Sequence, residues 1–229
     1  MANLIITVDG PAASGKSTVA RLLAERLKAS FLDTGAMYRA VTLAAMQAGV
    51  ELRNEEQLLK VLHDNEFEFN IGGVEMAVCV NGLDVTSQIH RPEVTTNARY
   101  IASAPKVRAR LVEIQRQLAA GQNKLVTEGR DQGTVAFPDA DIKFFLTADA
   151  AERAKRRKAE LQTCGSNESL EQIQKAIEER DKSDQNRQIG PLKQASDAIV
   201  VDTTDLSIEE VVEKLLSCVK DRCLKKNRK

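Results

Sequence analysis

The segment Gly10-Pro11-Ala12-Ala13-Ser14-Gly15-Lys16-Ser17 satisfies G-x-x-x-x-G-K-[ST] at every fixed position, and few short patterns restrict a fold as tightly. Its glycines let backbone amides turn inward around an anion, and the helix that follows adds partial positive charge at its N-terminus. Both flanks suit this geometry. Leu4-Ile5-Ile6-Thr7-Val8 is a nearly continuous apolar run, as in a parallel strand buried on both faces, while Val19, Leu22, Leu23 and Leu27 recur at helical spacing. A chance match in a chain of 229 residues is on the order of one per cent. The motif implies a nucleoside triphosphate site lined by Gly10, Pro11, Ala12, Ala13, Ser14, Gly15, Lys16, Ser17 and Thr18. Lys16 would reach the β- and γ-phosphates, and the Ser17 hydroxyl would ligate Mg2+.

Three later runs have the same buried-strand character: Lys124–Thr127, Ile142–Leu146 and Ala198–Val201. Each is followed by helix-like sequence, and Asp149 with Glu152 and Ser207 with Glu210 have the spacing of capping boxes. Strands alternating with helices imply a parallel sheet covered on both faces. One stretch departs from this rhythm. Phe67, Phe69 and Ile71, then Val74, Met76, Val78 and Val80, then Leu83 and Val85 alternate with period two, and Gly72-Gly73 and Asn81-Gly82 supply turns. Residues 62–92 therefore read as a small antiparallel insert. Pro105 suits the first turn of a helix running to Gly121, residues 150–190 are polar and arginine-rich, and Lys225–Lys229 reads as a frayed tail.

Thirty-three basic side chains balance 33 acidic ones, so no global positive field attracts nucleic acid or an anionic membrane. Any anion must be caught locally. No apolar run approaches the ~20 residues that span a bilayer, and the basic head of a signal peptide is missing, so the chain reads as cytoplasmic. Cys79, Cys164, Cys218 and Cys223 lack metal-site spacing and read as reduced thiols. An Asn-Lys-x-Asp element that would read guanine is absent, as is a strand ending in Asp-Glu. Glu128 is the nearest substitute for the latter, either holding Mg2+ through water or capping a loop. A hydroxyl acceptor needs a base, whereas a phosphate acceptor needs only positioning and charge neutralisation, which predicts many arginines and no nucleophile-base pair. The chain fits the second case, since His63 and His90 are isolated. A hydroxyl acceptor with Asp33 as base, and a regulatory nucleotide-binding module without chemistry, stand as the alternatives.

Asp33-Thr34-Gly35-Ala36-Met37-Tyr38-Arg39, the run Glu128–Pro138, and Arg180-Asp181-x-x-Asp184-x-Asn186-Arg187 join the phosphate loop in a combination that resembles bacterial cytidylate kinases over nearly the whole chain. The resemblance implies an α/β, P-loop NTPase-type three-layer fold with a central parallel sheet, a small antiparallel acceptor-binding insert and an arginine-rich lid. It implies a single kinase domain with core segments at about 1–61, 93–150 and 191–229, the insert at 62–92 and the lid at 150–190. The implied reaction is transfer of the γ-phosphoryl group of ATP, with Mg2+, to CMP and dCMP by a monomer in pyrimidine nucleotide metabolism. Lys16, Arg130, Arg187, Asp131 and Arg157 would be catalytic. Thr34 would contact the acceptor nucleotide, and Arg39, Arg130 and Arg187 would hold its phosphate. Arg108 and Asp131 match the family's cytosine-reading pair, and Arg180 and Asp184 its ribose-side positions. Arg153 and Arg157 would meet the ATP phosphates from the lid. Arg99 stands where the family commonly has a serine that helps hold cytosine, and Gln132 occupies a variable, neutral place.

Overall fold

The computed structural model describes residues 4–72, 75–163 and 168–226. Strand β1 (Leu4–Asp9) runs into the phosphate loop and helix α1 (Lys16–Leu27), followed by β2 (Ser30–Asp33) and α2 (Thr34–Gln47). Helix α3 (Glu55–Asp64) leads to the short strands β3 (Phe67–Asn70), β4 (Ala77–Val80) and β5 (Leu83–Asp84). A 3-10 turn, α4 (Pro92–Ser103) and α5 (Pro105–Ala120) return the chain to β6 (Lys124–Gly129), a π-helical turn at Gln132–Ala136 and β7 (Ile142–Thr147). The antiparallel pair α6 (Ala150–Thr163) and α7 (Leu170–Gln185) precedes β8 (Ile199–Asp202) and α8 (Ile208–Lys226).

The main sheet is parallel throughout, in the order β2-β6-β1-β7-β8. Its central strand is the one that carries the phosphate loop. Register then decides what stands beside that loop: Asp9 of β1 lies level with Gly129 of β6, and Glu128 lies level with Asp33 of β2. All these carboxylates reach the carboxyl edge of the sheet, where open α/β folds bind ligands.

Each face of the sheet has its own core. Leu32, Met37, Val41, Leu111 and Leu125 pack with Phe69, Val78 and Val80 of the insert on one side. Val8, Leu23, Phe144, Leu146, Val212 and Leu215 pack on the other, where α1 meets α8. A third, small cluster joins α6 to α7 through Ala154, Ile173 and Ile177, with Ala13 of the phosphate loop packed against it. The arginine-rich pair is thus physically seated on the loop.

The parallel sheet and the antiparallel three-stranded sheet agree with the sequence pattern. Asn81 and Gly82 both have positive φ, 52° and 74°, as a tight hairpin turn of this hand requires. At the other turn, Gly73 and Val74 lie outside the described residues, as do Cys164, the side chains of Cys223, Lys225 and Lys226, and residues 227–229. Cys79 and Cys218 are free. Helix α3 runs through Asp64, three residues into the stretch read as insert, and is capped by Asn54, whose carboxamide oxygen accepts from Gln57 N at 3.1 Å. The Ser207–Glu210 capping box forms in both directions. At Asp149 it does not. The Asp149 amide goes to Thr204 Oγ1 at 3.0 Å, and Glu152 turns instead to Lys155 and Arg156, because the loop after β8 crosses here and competes for the amide. Among the described residues no helix is long and apolar enough to cross a membrane.

Phe144 is 1% exposed at the centre of the second core, so Phe144→Ala should lower the unfolding free energy by about 3–5 kcal/mol. Leu83, 70% exposed at the hairpin end, should tolerate Leu83→Ser within about 0.5 kcal/mol. Urea titrations of the two variants check this contrast.

Candidate active site

The phosphate loop is held open by sterics and by neighbours. A side chain at Gly10 would strike the carbonyl of Leu146, and Ala13 and Gly15 adopt positive φ of 57° and 81°. Gly15 is the N-cap of α1, and no side chain caps that end, so its first amides are left for a ligand. Lys16 is buried, with Nζ 3.4 Å from Pro11 O and 3.9 Å from Glu128 Oε2. Burial, reinforced by the nearby Arg130 charge, pushes the Lys16 ammonium down to about 8. Ser17 is exposed and donates its hydroxyl to Glu128 Oε1 at 2.9 Å. Burial lifts the Glu128 carboxyl to about 7 against the pull of Lys16, and its Oε2 makes no hydrogen bond.

The lid-side helices clasp the loop from outside. Asp181 of α7 accepts from Ala12 N at 3.2 Å and pairs with Arg153 of α6, which in turn donates to Ala12 O at 3.1 Å and Ala148 O at 3.1 Å. Arg153 is therefore engaged by protein partners through Nε and Nη1. The structure uses it to tie helix to loop, a different employment from the phosphate contact read from its position. Arg157 is half-buried and pairs with Glu160 at 2.9 Å.

Across the cleft, the Asp33-to-Arg39 motif opens α2. Asp33 is the helix N-cap, accepting from Ala36 N at 2.9 Å and pairing with Arg39 at 2.9 Å. Burial alone would raise the Asp33 carboxyl, but Arg39 and the Ala36 amide outweigh it and hold it below the usual range. A carboxylate so engaged is a poor proton acceptor, which removes the support for a hydroxyl-activating base at this position. Thr34 is buried and donates to Glu128 O at 2.8 Å, and Gly129 is glycine because a Cβ there would meet Thr34 Oγ1 at 2.8 Å and the Gln132 side chain at 2.9 Å.

Two carboxylates organise the remaining arginines. Asp184 lies between Arg130, at 2.8 Å, and Arg187; burial opposes its ionisation, but the two guanidiniums hold it low. Asp131 pairs with Arg108 in a fully buried contact, and burial raises the Asp131 carboxyl despite that partner. Arg108 also donates to Ala102 O at 3.2 Å and lies over the Tyr38 ring at 5.4 Å. Gly190, with φ of 61°, closes against this pair so tightly that a Cβ would overlap both partners. Arg180 sits at the rim, open to water, yet partial loss of solvation and then the Arg130 charge push it down to about 10. The buried Nε atoms of Arg39, Arg108 and Arg187 have no hydrogen-bond partner. Such unmatched guanidinium donors suit an incoming phosphate or base.

Lys16, Arg39, Arg130, Asp131, Arg180, Asp184 and Arg187 are thus brought together electrostatically, each appearing among the neighbours that shift another. Arg99 is exposed and lies over Tyr100 at 5.0 Å, with Nη2 3.2 Å from the phenolic oxygen. Gln132 is 1% exposed and accepts from Thr127 Oγ1 at 3.1 Å. Sequence reasoning passed over Asp9 and Asp181, although Asp9 adjoins the phosphate motif and Asp181 lies inside a motif of the resemblance.

A profile described as cytidylate kinase matches residues 6–221. Cytidylate kinase from Desulfitobacterium hafniense is 46% identical over 220 residues, 96% of this chain and 94% of that protein. Cytidylate kinase from Anoxybacillus flavithermus is 47% identical over 218 residues, covering 95% and 96% respectively. Among solved structures, an uncharacterized protein from Eubacterium ventriosum superposes with TM-score 0.50 at 12% identity over 95% of this chain and 98% of that one, a likeness of fold alone.

The buried acids set a pH dependence for the ligand-free protein. A carboxyl raised above its unfolded value takes up a proton in the folded state first, so stability increases as pH falls from about 7.5 to about 5.5 through the values of Glu128 and Asp9, at about 7 and about 6. Lys16, at about 8, is protonated through most of that window, and His90, lowered chiefly by burial, opposes the trend in its lower half. Asp33 and Asp184 are held low, so their contribution is lost only on further acidification through their depressed values. Thermal melting without nucleotide should give a Tm a few degrees higher at the acidic end of this window than at pH 7.5.

Proposed function

This chain belongs to the cytidylate kinase family, which makes it an ATP-dependent nucleoside monophosphate kinase converting CMP to CDP, and from that premise we propose how its residues divide the work. The phosphate loop and Lys16 hold the triphosphate of ATP. Arg39, Arg130 and Arg187 hold the acceptor phosphate, with Arg157 and Arg180 adding positive charge from the α6–α7 side. Transfer is direct and in line, without a covalent enzyme intermediate, because the acceptor arrives already anionic and needs positioning and charge neutralisation rather than activation. The observation that carries this reading is the gathering of Arg39, Arg130 and Arg187 on the buried carboxylates Asp33 and Asp184, with Arg130 near enough to Lys16 of the phosphate loop to depress its ammonium.

Arg108 and Asp131 form the base-reading pair in this proposal. Asp131 accepts from the cytosine amino group, whereas a uracil carbonyl in that place would face a carboxylate. Asp184, with Thr34 behind the same strand edge, completes the acceptor side. We extend the acceptor to dCMP, as the resemblance of the motifs to the family implies. The insert formed by β3–β5 is read as the acceptor-binding part and the α6–α7 pair as the lid of one kinase domain.

The residues present also fit Mg2+. Ser17 is exposed with Glu128 behind its hydroxyl, and Glu128 Oε2 is buried without a hydrogen bond, a donor set of the hard oxygen type this ion takes. Bound there with ATP, the ion would neutralise charge on the β- and γ-phosphate oxygens. We further read the protein as a monomer acting in the cytoplasm on small molecules rather than on nucleic acid, in keeping with its balanced charge.

Steady-state kinetics test the assignment. Turnover of ATP should be strong with CMP and dCMP and at least about tenfold weaker in kcat/KM with UMP or AMP. Arg187→Met should lower kcat/KM for CMP by about 100-fold while changing KM for ATP by less than about threefold. Equal losses toward both substrates would remove Arg187 from the acceptor side.

A further inference from the structure

Asp9 is the last residue of β1 and stands directly before Gly10, yet nothing in the transfer chemistry above uses it. It is 4% exposed, and among the described residues no lysine or arginine forms an ion pair with it. Its carboxylate instead accepts two backbone amides, Gln132 N at 2.9 Å on one oxygen and Gly133 N at 2.8 Å on the other. A buried carboxylate satisfied by amides alone is costly unless both acceptors are needed, since a neutral side chain would avoid burying the charge. Burial lifts Asp9 to about 6, and the two amide bonds pull it back only in part.

Those two amides open the π-helical turn that follows Asp131 immediately. The turn is tied at its other end as well: Arg116 of α5 donates to Val135 O and Ala136 O, both at 2.9 Å. Inside it, Val135 N and Ala136 N return to Asp131 O, at 2.8 and 3.2 Å. Asp131 therefore has its carbonyl held by the turn, its following peptide held by Asp9, and its carboxylate held against Arg108. Its backbone, at φ −141° and ψ 25°, belongs to no regular element and has no ladder of its own to fix it. The direction in which its carboxylate points is set from outside.

We infer that Asp9 is a positioning residue for acceptor-base selection: by fixing the peptides of Gln132 and Gly133 it sets the angle at which Asp131 presents its carboxylate to the base. It touches neither substrate nor reacting atoms. Because Asp9 also terminates the strand that launches the phosphate loop, one side chain places the base-reading loop relative to the donor site. This inference rests on Asp131 as the reader of the base.

The test compares Asp9→Asn, Asp131→Asn and the parent protein for kcat/KM with CMP and with UMP, and for KM of ATP. Asparagine offers only one acceptor and turns an amide donor toward an amide donor, so the turn should shift. Asp9→Asn is expected to reduce the CMP-over-UMP preference at least about tenfold, mainly through a raised KM for CMP, with KM for ATP changed less than about threefold. A purely structural role would lower Tm while leaving the CMP-to-UMP ratio intact, and that result overturns the inference. If Asp131→Asn itself keeps the ratio, the base-reading role of Asp131 fails and the role of Asp9 fails with it; if only Asp131→Asn loses the ratio, Asp9 alone is overturned. Should Asp9→Asn not fold, Asp9→Glu keeps both acceptors on a longer arm that displaces the turn. It is expected to lower the ratio too, and an unchanged ratio there overturns the inference.

Discussion

Charge packed at the carboxyl edge of a parallel sheet is the constraint on which the rest of this structure depends. Lys16, Arg39, Arg108, Arg130 and Arg187 converge there, and without phosphate each leans on a carboxylate: Glu128, Asp33, Asp131 or Asp184. Removing one partner of such a buried pair leaves the other uncompensated, at a cost of about 3–5 kcal/mol, so the acids serve as placeholders as well as functional groups. The unmatched Nε groups show that the placeholders satisfy the arginines only in part.

Strand order explains why these groups meet. β1 lies at the centre, with β6 and β2 stacked on one side and β7 and β8 on the other, so residues more than a hundred positions apart end level with one another. Glu128 reaches Ser17 and Lys16 because β6 is the immediate neighbour of β1. The α6–α7 pair approaches from the β7 side and is secured to the loop backbone by Asp181 and Arg153. Its apolar cluster is small beside the large cores on either face of the sheet.

Much of this was legible beforehand, for identifiable reasons. The phosphate motif, the buried strands and the Asn81-Gly82 hairpin depend on local backbone chemistry, which short sequence carries directly. Membership of the family was legible through resemblance, because its motifs are long and specific. Helix α3 was obscured where its amphipathic end runs into the alternating pattern of β3, and the Asp149 cap was misread because the competing Thr204 arrives from a distant loop. The hold of Asp9 on the Gln132 amide was not legible, since the two become neighbours only when β6 is laid beside β1.

By itself, then, the sequence determined that this chain builds a triphosphate loop at the end of a buried strand, that the strand belongs to a parallel sheet, and, through long motifs, to which family the chain belongs. These follow from patterns in which a few adjacent residues impose backbone shape or charge. Tertiary structure alone decided which carboxylate each arginine rests on, that Arg153 ties helix to loop, and that Asp9 reaches across to the turn behind Asp131. Pairing of that kind depends on strand register and on the competition of buried charges for few partners, and both come into being only when the sheet is assembled.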